Sequence, residues 1–314
     1  MTAPLDLWTL KQVVRAARAL QRRAGVVGVF WGARRTAGEW LRDAALSVHV
    51  TRKRPNRALS QADRIPSTID CLPTDVVEVG QPRTYALTHD DRMDGSGNRW
   101  SSIAAIGYYE RRCFILASGH GVMPWNDDGI VRWGSQMNLA VDIHDDGSVL
   151  GGILRRGAFG GGGDVDYSVV EVAPSASIST IHAAADRAAP YPVRTSPLVQ
   201  DEPVYCWSAS WCRGRWPGVL GEGVVQSAAL TDVLLRVEDR SIDSYSRAIS
   251  IVTQPAAKHA FAMRGDSGAL VFDANRHVIG QVVGGKNEFT YILPISSLID
   301  RLGPLAKAFF NSGA

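Results

Sequence analysis

The sequence predicts a mainly β chain with a small α+β unit at its front. Three observations point there. From residue 81 onward, short β-rich runs recur between Gly, Asn, Asp and Pro turns, with no helical pattern between them. Helical periodicity is confined to residues 5–23 and 295–302. The charge divides at the same boundary: residues 1–80 hold 13 Lys/Arg against 7 Asp/Glu, a balance of +6, which leaves −3 for the rest of a chain whose total is +3. Many short strands without helices are expected to close into barrels or sandwiches.

In residues 5–23, Leu7, Leu10, Val13, Val14, Ala17 and Leu20 fall at the spacing of one helix face, with Lys11, Arg15, Arg18 and Arg22 opposite. A short β run follows at 25–31, a turn-rich stretch at 34–38, and a stronger strand at 44–51 that Pro55 ends. Ile65-Pro66 and Leu72-Pro73 lead into a further run at 75–80, which completes a basic module over 1–80. Runs at 103–109, 113–117, 131–133 and 166–172 belong to a unit spanning 81–190. Those at 202–207, 221–227, 232–237, 249–253, 269–272, 278–284 and 291–294 belong to a unit spanning 191–314, which ends in the helix at 295–302 and an apolar tail through Phe310. No repeat of fixed period is visible.

Several functions are excluded by composition. At 45% hydrophobic and 21% charged residues, the chain reads as a soluble globular protein. No run approaches the roughly 18 apolar residues of a membrane span, and a secretory signal is not expected. Cys71, Cys113, Cys206 and Cys212 are too few and too scattered for a disulfide framework, and no pair has zinc-site spacing. Reduced thiols in a cytoplasmic protein are expected, with a Cys206–Cys212 bridge as the alternative for an exported one. The glycines at 160–163 lack the Lys-Ser/Thr partner of a phosphate-binding loop and read as an ordinary loop. The basic residues of the front module are dispersed and match no nucleic-acid motif, so they read as a solvated or docking face. No cofactor and no metal is expected.

One string carries chemistry. Gly265-Asp266-Ser267-Gly268 precedes the apolar run at 269–272, where a chain can lift a hydroxyl out of the backbone and aim amide groups at what it attacks. A serine hydroxyl becomes a useful nucleophile only when a neutral imidazole takes its proton and a carboxylate fixes the imidazole's tautomer. His120 ends the apolar run Cys113-Phe-Ile-Leu-Ala-Ser-Gly-His and is followed by Gly121, an apt place for a base. His49, inside a strand, and His89, His144, His182, His259 and His277 read as surface or structural residues. In the order His, Asp, Ser, Asp166 fits the acid, because it abuts the apolar run Tyr-Ser-Val-Val; Asp164 is its rival. The hydrolase elbow Gly-x-Ser-x-Gly fails because Ala269 stands last.

Residues 81–303 resemble a trypsin-like (chymotrypsin-fold) serine protease, with the three motifs and Val278-Ile-Gly-Gln-Val-Val-Gly-Gly285 in family order. The segments Ser47-Val-His-Val-Thr-Arg-Lys-Arg-Pro55, Ile65-Pro66 and Leu72-Pro-Thr-Asp-Val-Val-Glu-Val-Gly80 resemble those that precede the protease domain in bacterial relatives of the plant narrow-leaf trypsin-like proteases. The resemblance implies a double β-barrel of chymotrypsin type behind the α+β module. It implies Ser267 as nucleophile, His120 as general base and acid, Asp166 as orienter, and the N–H groups of Gly265 and Ser267 as oxyanion hole. Gln281, Val282, Val283 and Gly284 would form the strand edge that pairs with a peptide or protein substrate, and Phe261 would floor the specificity pocket. Asp266 and the module suggest a latent form awaiting cleavage or an activating protein partner. The tryptophan-rich stretch at 206–216 matches nothing in the family.

Overall fold

The computed structural model describes residues 7–36, 39–84, 87–88, 99–100, 103–119, 140–142, 149–156, 165–172, 190–208, 219–236, 243–253, 260–263 and 265–311. The expected strand at 131–133 and the glycine loop at 160–163 lie outside these residues.

Helix α1 (Leu7–Gln21) buries Val13, Ala16, Ala17 and Leu20 and leaves Lys11, Arg15 and Arg18 exposed, as is Arg22 just after its end. Val14, expected on the apolar face, is exposed, because Ala16 and Ala17 set the centre of the stripe. The stripe packs on a sheet of β1 (Val26–Thr36), β2 (Glu39–Val50), β3 (Thr68–Ile69) and β4 (Leu72–Glu78), ordered β1-β2-β4-β3. Side chains of β2 alternate between two faces, and over residues 45–50 both faces are buried. Leu46, Val48 and Val50 face α1, while Ser47 and His49 are buried on the other side.

After the short strands β5 (Arg83–Thr84), β6 (Leu87–Thr88) and β7 (Arg99–Trp100), the chain builds an antiparallel sheet. Its strands are β8 (Ile103–Tyr109), β9 (Arg112–Ala117), β10 (Ala140–Asp142), β11 (Val149–Arg156) and β12 (Ser168–Val172), in the order β8-β9-β12-β11-β10. β13 (Tyr191–Pro192) then leads to β14 (Pro203–Ser208), β15 (Val219–Arg236), β16 (Asp243–Thr253), β17 (Leu270–Asp273), β18 (Val278–Lys286) and β19 (Phe289–Pro294). These last six pair as β14-β15-β16-β19-β18-β17, and β17 pairs back to β14, so the second sheet is a closed six-stranded barrel.

Without β14, the second barrel's order, β15-β16-β19-β18-β17, repeats the winding β8-β9-β12-β11-β10 of the first sheet. Each half is the same Greek-key crossing, a repeat of topology that leaves no trace of period in the sequence. The chain is therefore mainly β, two barrel-type halves behind an α+β module. Helix α2 (Ile295–Leu302), a 3-10 stretch Gly303–Ala308 and β20 (Phe310–Asn311) follow. This tail crosses to the first half, where Gly107 of β8 lies against the Ala308 carbonyl, and β20 pairs with β13.

The front module does not stand apart. Val27, Phe30, Val77 and Val79 share one core with Val233, Leu235 and Tyr291 of the second half and with Phe114 and Val169 of the first. Ser227 Oγ donates to the Trp31 carbonyl at 2.6 Å. A Cβ on Gly32 would stand 2.3 Å from the Gln226 carbonyl, so β1 and β15 meet backbone to backbone. Gly32→Ala is expected to destabilise the chain by about 1–3 kcal/mol through overpacking. Denaturant midpoints of variant and wild type check this, and equal midpoints would show that the contact yields freely.

Candidate active site

The first half brings two chain ends to one place. Ser168, the first residue of β12, faces Ala117, the last of β9, and Ser168 Oγ donates to the Ser118 carbonyl at 3.3 Å. Asp166, two residues before β12, and Gly119, two residues after β9, therefore lie at the same end of this antiparallel pair. Asp166 is 3% exposed, and its neighbours Val165 and Tyr167 are anchored in the core. A carboxylate this buried is held there by partners. His120, next after Gly119, and the rival Asp164 lie outside the described residues.

The second half supplies the serine on a tight turn. The Asp266 carboxylate accepts the Met263 N–H at 2.8 Å, while the Asp266 N–H reaches the Met263 carbonyl at 3.0 Å. Gly265 and Gly268 have φ of +97° and +95°, a region that favours glycine. The turn is fastened to β18: the Gly268 N–H donates to the Val282 carbonyl, and the Val282 N–H to the Ala269 carbonyl, each at 2.9 Å. Ser267 Oγ donates to the Val283 carbonyl at 3.1 Å, and neither Ser267 nor Asp266 has exposed surface. Asp266 thereby closes its own turn. Nearby, burial and then the Asp266 charge push the Cys206 thiol well above its ordinary range. It stays protonated and is no competing nucleophile. Cys206 is a free thiol, and Cys212 lies outside the described residues.

The segments that carry Asp166 and Ser267 are both anchored in one apolar core. Val165 and Tyr167 share one core with Leu270, just after the serine turn, and with Val283, its hydrogen-bond partner. Residues 101 positions apart in sequence are thereby held on one apolar scaffold.

The expected substrate edge needs correction. Gln281 is paired on both sides, to Leu270 and to Leu293, and Val282 is bonded to the serine turn and faces Ile292. Neither offers an edge, because β17 and its turn already cover them. Past the Val283 contact with the serine, Gly284 and Gly285 are paired as well, to Tyr291 and Thr290 of β19 on one side and to Thr84 and Arg83 of β5 on the other. Phe261 is fully buried with Cys206, Val225, Ile251 and Val271, a core position of the second barrel and not an open pocket floor. The Gln281 side-chain amide is buried with no hydrogen-bond partner among the described residues.

A separate cleft of about 260 Å³ lies at the far end of β17, around Arg194, Glu202, Asp273 and His277. Arg194 is paired with Glu202 there, and Asp273 accepts the Asn275 and His277 N–H groups at 2.9 Å each. These charges hold a hairpin together and are remote in the fold from the serine.

Neither a protein-family model nor a curated protein matches the sequence. Among solved structures, the chain is similar to a glutamic-acid-specific serine protease described as using a histidine triad in substrate binding. That likeness has 16% identity over 65% of this chain and 91% of the other, with a TM-score of 0.38. It is similar to an α-lytic protease homologue, N4, at 13% identity over 71% and 95%, with a TM-score of 0.36. A third likeness is to the protease domain of MamO from Magnetospirillum magneticum, at 11% identity over 68% and 92%, with a TM-score of 0.33. The barrel-type architecture stands on the chain's own strand order.

Proposed function

We propose that the chain is a serine endopeptidase of the chymotrypsin kind that acts on protein or peptide substrates through an acyl-enzyme. The observation that carries this is the glycine-framed turn that holds Ser267 against Val283 of β18, in one core with the segment that bears Asp166. In this reading His120 takes the Ser267 proton as Oγ attacks the scissile carbonyl carbon. The C–N bond then breaks, the amine leaves with that proton, and water hydrolyses the ester by the same route reversed. Asp166 holds the His120 tautomer, and the Gly265 and Ser267 N–H groups receive the oxyanion, each worth about 3–4 kcal/mol at the transition state. The likeness of the front module to bacterial relatives of the plant narrow-leaf proteases, and a cytoplasmic location, belong to this reading. The free thiols of Cys71, Cys113 and Cys206 are compatible with that location.

A second reading, a latent form that awaits cleavage or a protein partner, is favoured by the same serine. It has no exposed surface, and its hydroxyl hydrogen goes to a carbonyl. A fluorophosphonate probe tests the reading: prolonged incubation labels the wild type, and Ser267→Ala abolishes the mass increment. Labelling that persists in the variant sinks the assignment.

A further inference from the structure

β18 is flanked along one side by β19, as far as Lys286 opposite Phe289. On its other side the neighbour changes with position. Leu270 faces Gln281, the Ala269 carbonyl accepts the Val282 N–H, and Ser267 Oγ donates to the Val283 carbonyl. Past the serine, Gly284 and Gly285 face Thr84 and Arg83 of β5 in antiparallel register. An extended peptide that lays a carbonyl on Ser267 has to pair along this stretch. The chain's own residues hold it.

The direction also matches. β5 runs from Arg83, opposite Gly285, to Thr84, opposite Gly284, and so toward the serine. Two glycines on β18 present no side chain to a neighbour, so this stretch recognises backbone. The full burial of Ser267 agrees with an occupied cleft.

The front module aims β5. The Val79 N–H donates to the Val50 carbonyl, and Asn287, in the turn after β18, reaches the Val79 carbonyl with its side-chain amide at 3.4 Å. Gly80, with φ of +77°, then turns the chain over the Lys286 side chain. Three residues later β5 lies on the edge.

Resting on the peptidase reading, we infer that Arg83 and Thr84 are a built-in substrate mimic. In the resting chain they hold the peptide-binding edge of β18, and a substrate pairs there only after β5 has left. A tethered segment competes at an effective concentration of about millimolar, enough to keep most free peptides out. β5 is held by two pairings to β18 and one to Arg236 of β15, a short ladder with Arg83 exposed, and such a ladder belongs to the part of a fold that opens most readily. A protein that grips the front module, or a cut in the connector, would bias that opening.

The test uses the full chain carrying Arg83→Pro and Thr84→Pro, since proline has no N–H for the ladder. Two phosphonate probes are compared: a small alkyl fluorophosphonate that needs only Ser267, and a peptidyl diphenylphosphonate that must pair along the edge. The peptidyl probe is expected to label the variant at least about tenfold faster than wild type, with the alkyl rate changing less than about threefold. Equal acceleration of both probes, or of neither, overturns the mimic. Absence of alkyl labelling in both proteins sinks the peptidase reading instead. The mimic is then judged by hydrogen exchange in Ser267→Ala chains, where the amides of 283–286 lose protection when both prolines are present while those of β2 keep it. Retained protection at 283–286 overturns it.

Discussion

Asp166→Asn is expected to lower kcat/KM for a peptide substrate by about 10⁴-fold while leaving the fold intact. The amide is isosteric with the carboxylate, so the packing of Val165 and Tyr167 on either side is undisturbed. What changes is the hydrogen-bonding sense. A carboxylate accepts from the imidazole and leaves its other nitrogen bare to take the serine proton. An amide can donate, which stabilises the opposite tautomer and removes the base. The same site explains why alanine is a poorer test. Asp166 is 3% exposed, and truncation there would open a hole and orphan its partners, confounding catalysis with folding. Turnover of Asp166→Asn is best measured beside Asp164→Asn, which is expected to stay within about threefold of wild type if Asp166 is the acid. A loss at Asp164 equal to that at Asp166 would reassign the acid.

The turn around Ser267 and the strands beside the candidate acid and base were legible because they depend on local chemistry. Glycines at 265 and 268 announce a turn with positive φ, and the structure uses both that way. The apolar run ending before His120 and the one beginning after Asp166 are adjacent strands, and strands pair at matching ends. The strand at 103–109 and the helix at 295–302 have the bounds that periodicity predicts. Where the sequence misled, long-range pairing overrode local pattern. The runs at 221–227 and 232–237 are one strand, β15, whose register against β16 shifts between Ser227 and Thr231. That irregularity breaks the alternation of side chains, which in sequence imitates a turn. The first residues of the turn expected at 34–38 are strand instead, because β1 runs on to Thr36 in pairing with Glu39. β5 had no signal at all: two residues carry no periodicity, and their partners lie some 200 positions away. The Gly284-Gly285 pair was the available hint, since adjacent glycines in a strand mark a close backbone approach.

The stability of the chain is expected to fall steeply as pH drops below about 6.5, and His49→Gln to flatten that fall. His49 on β2 reaches across to the second barrel and has no exposed surface. Its Nδ1 lies 2.9 Å from Tyr291 Oη, and Gln226 Nε2 lies 3.4 Å from Nε2 while also donating to Ser47 Oγ at 3.2 Å. Phe30, Phe289 and Tyr291 surround the ring, at centroid distances of 4.7, 4.8 and 6.1 Å. Charging the ring here would strip it of water without a counter-charge, so burial lowers its pKa from 6.5 to about 3. The folded state therefore refuses a proton that the unfolded chain accepts below pH 6.5. The stability from keeping His49 neutral is complete above that pH and is lost progressively as pH falls toward 3, at about 1.4 kcal/mol per unit and roughly 4–5 kcal/mol in all. Glutamine keeps hydrogen-bonding capacity toward Tyr291 and Gln226 but does not titrate. Urea midpoints at pH 7.5, 5.5 and 4.5 should thus converge: the variant is less stable near neutrality, because it packs less well against three aromatic rings, and it loses less on acidification. Parallel pH curves for the two proteins would mean that another group governs the acid limit and that His49 is a packing residue alone.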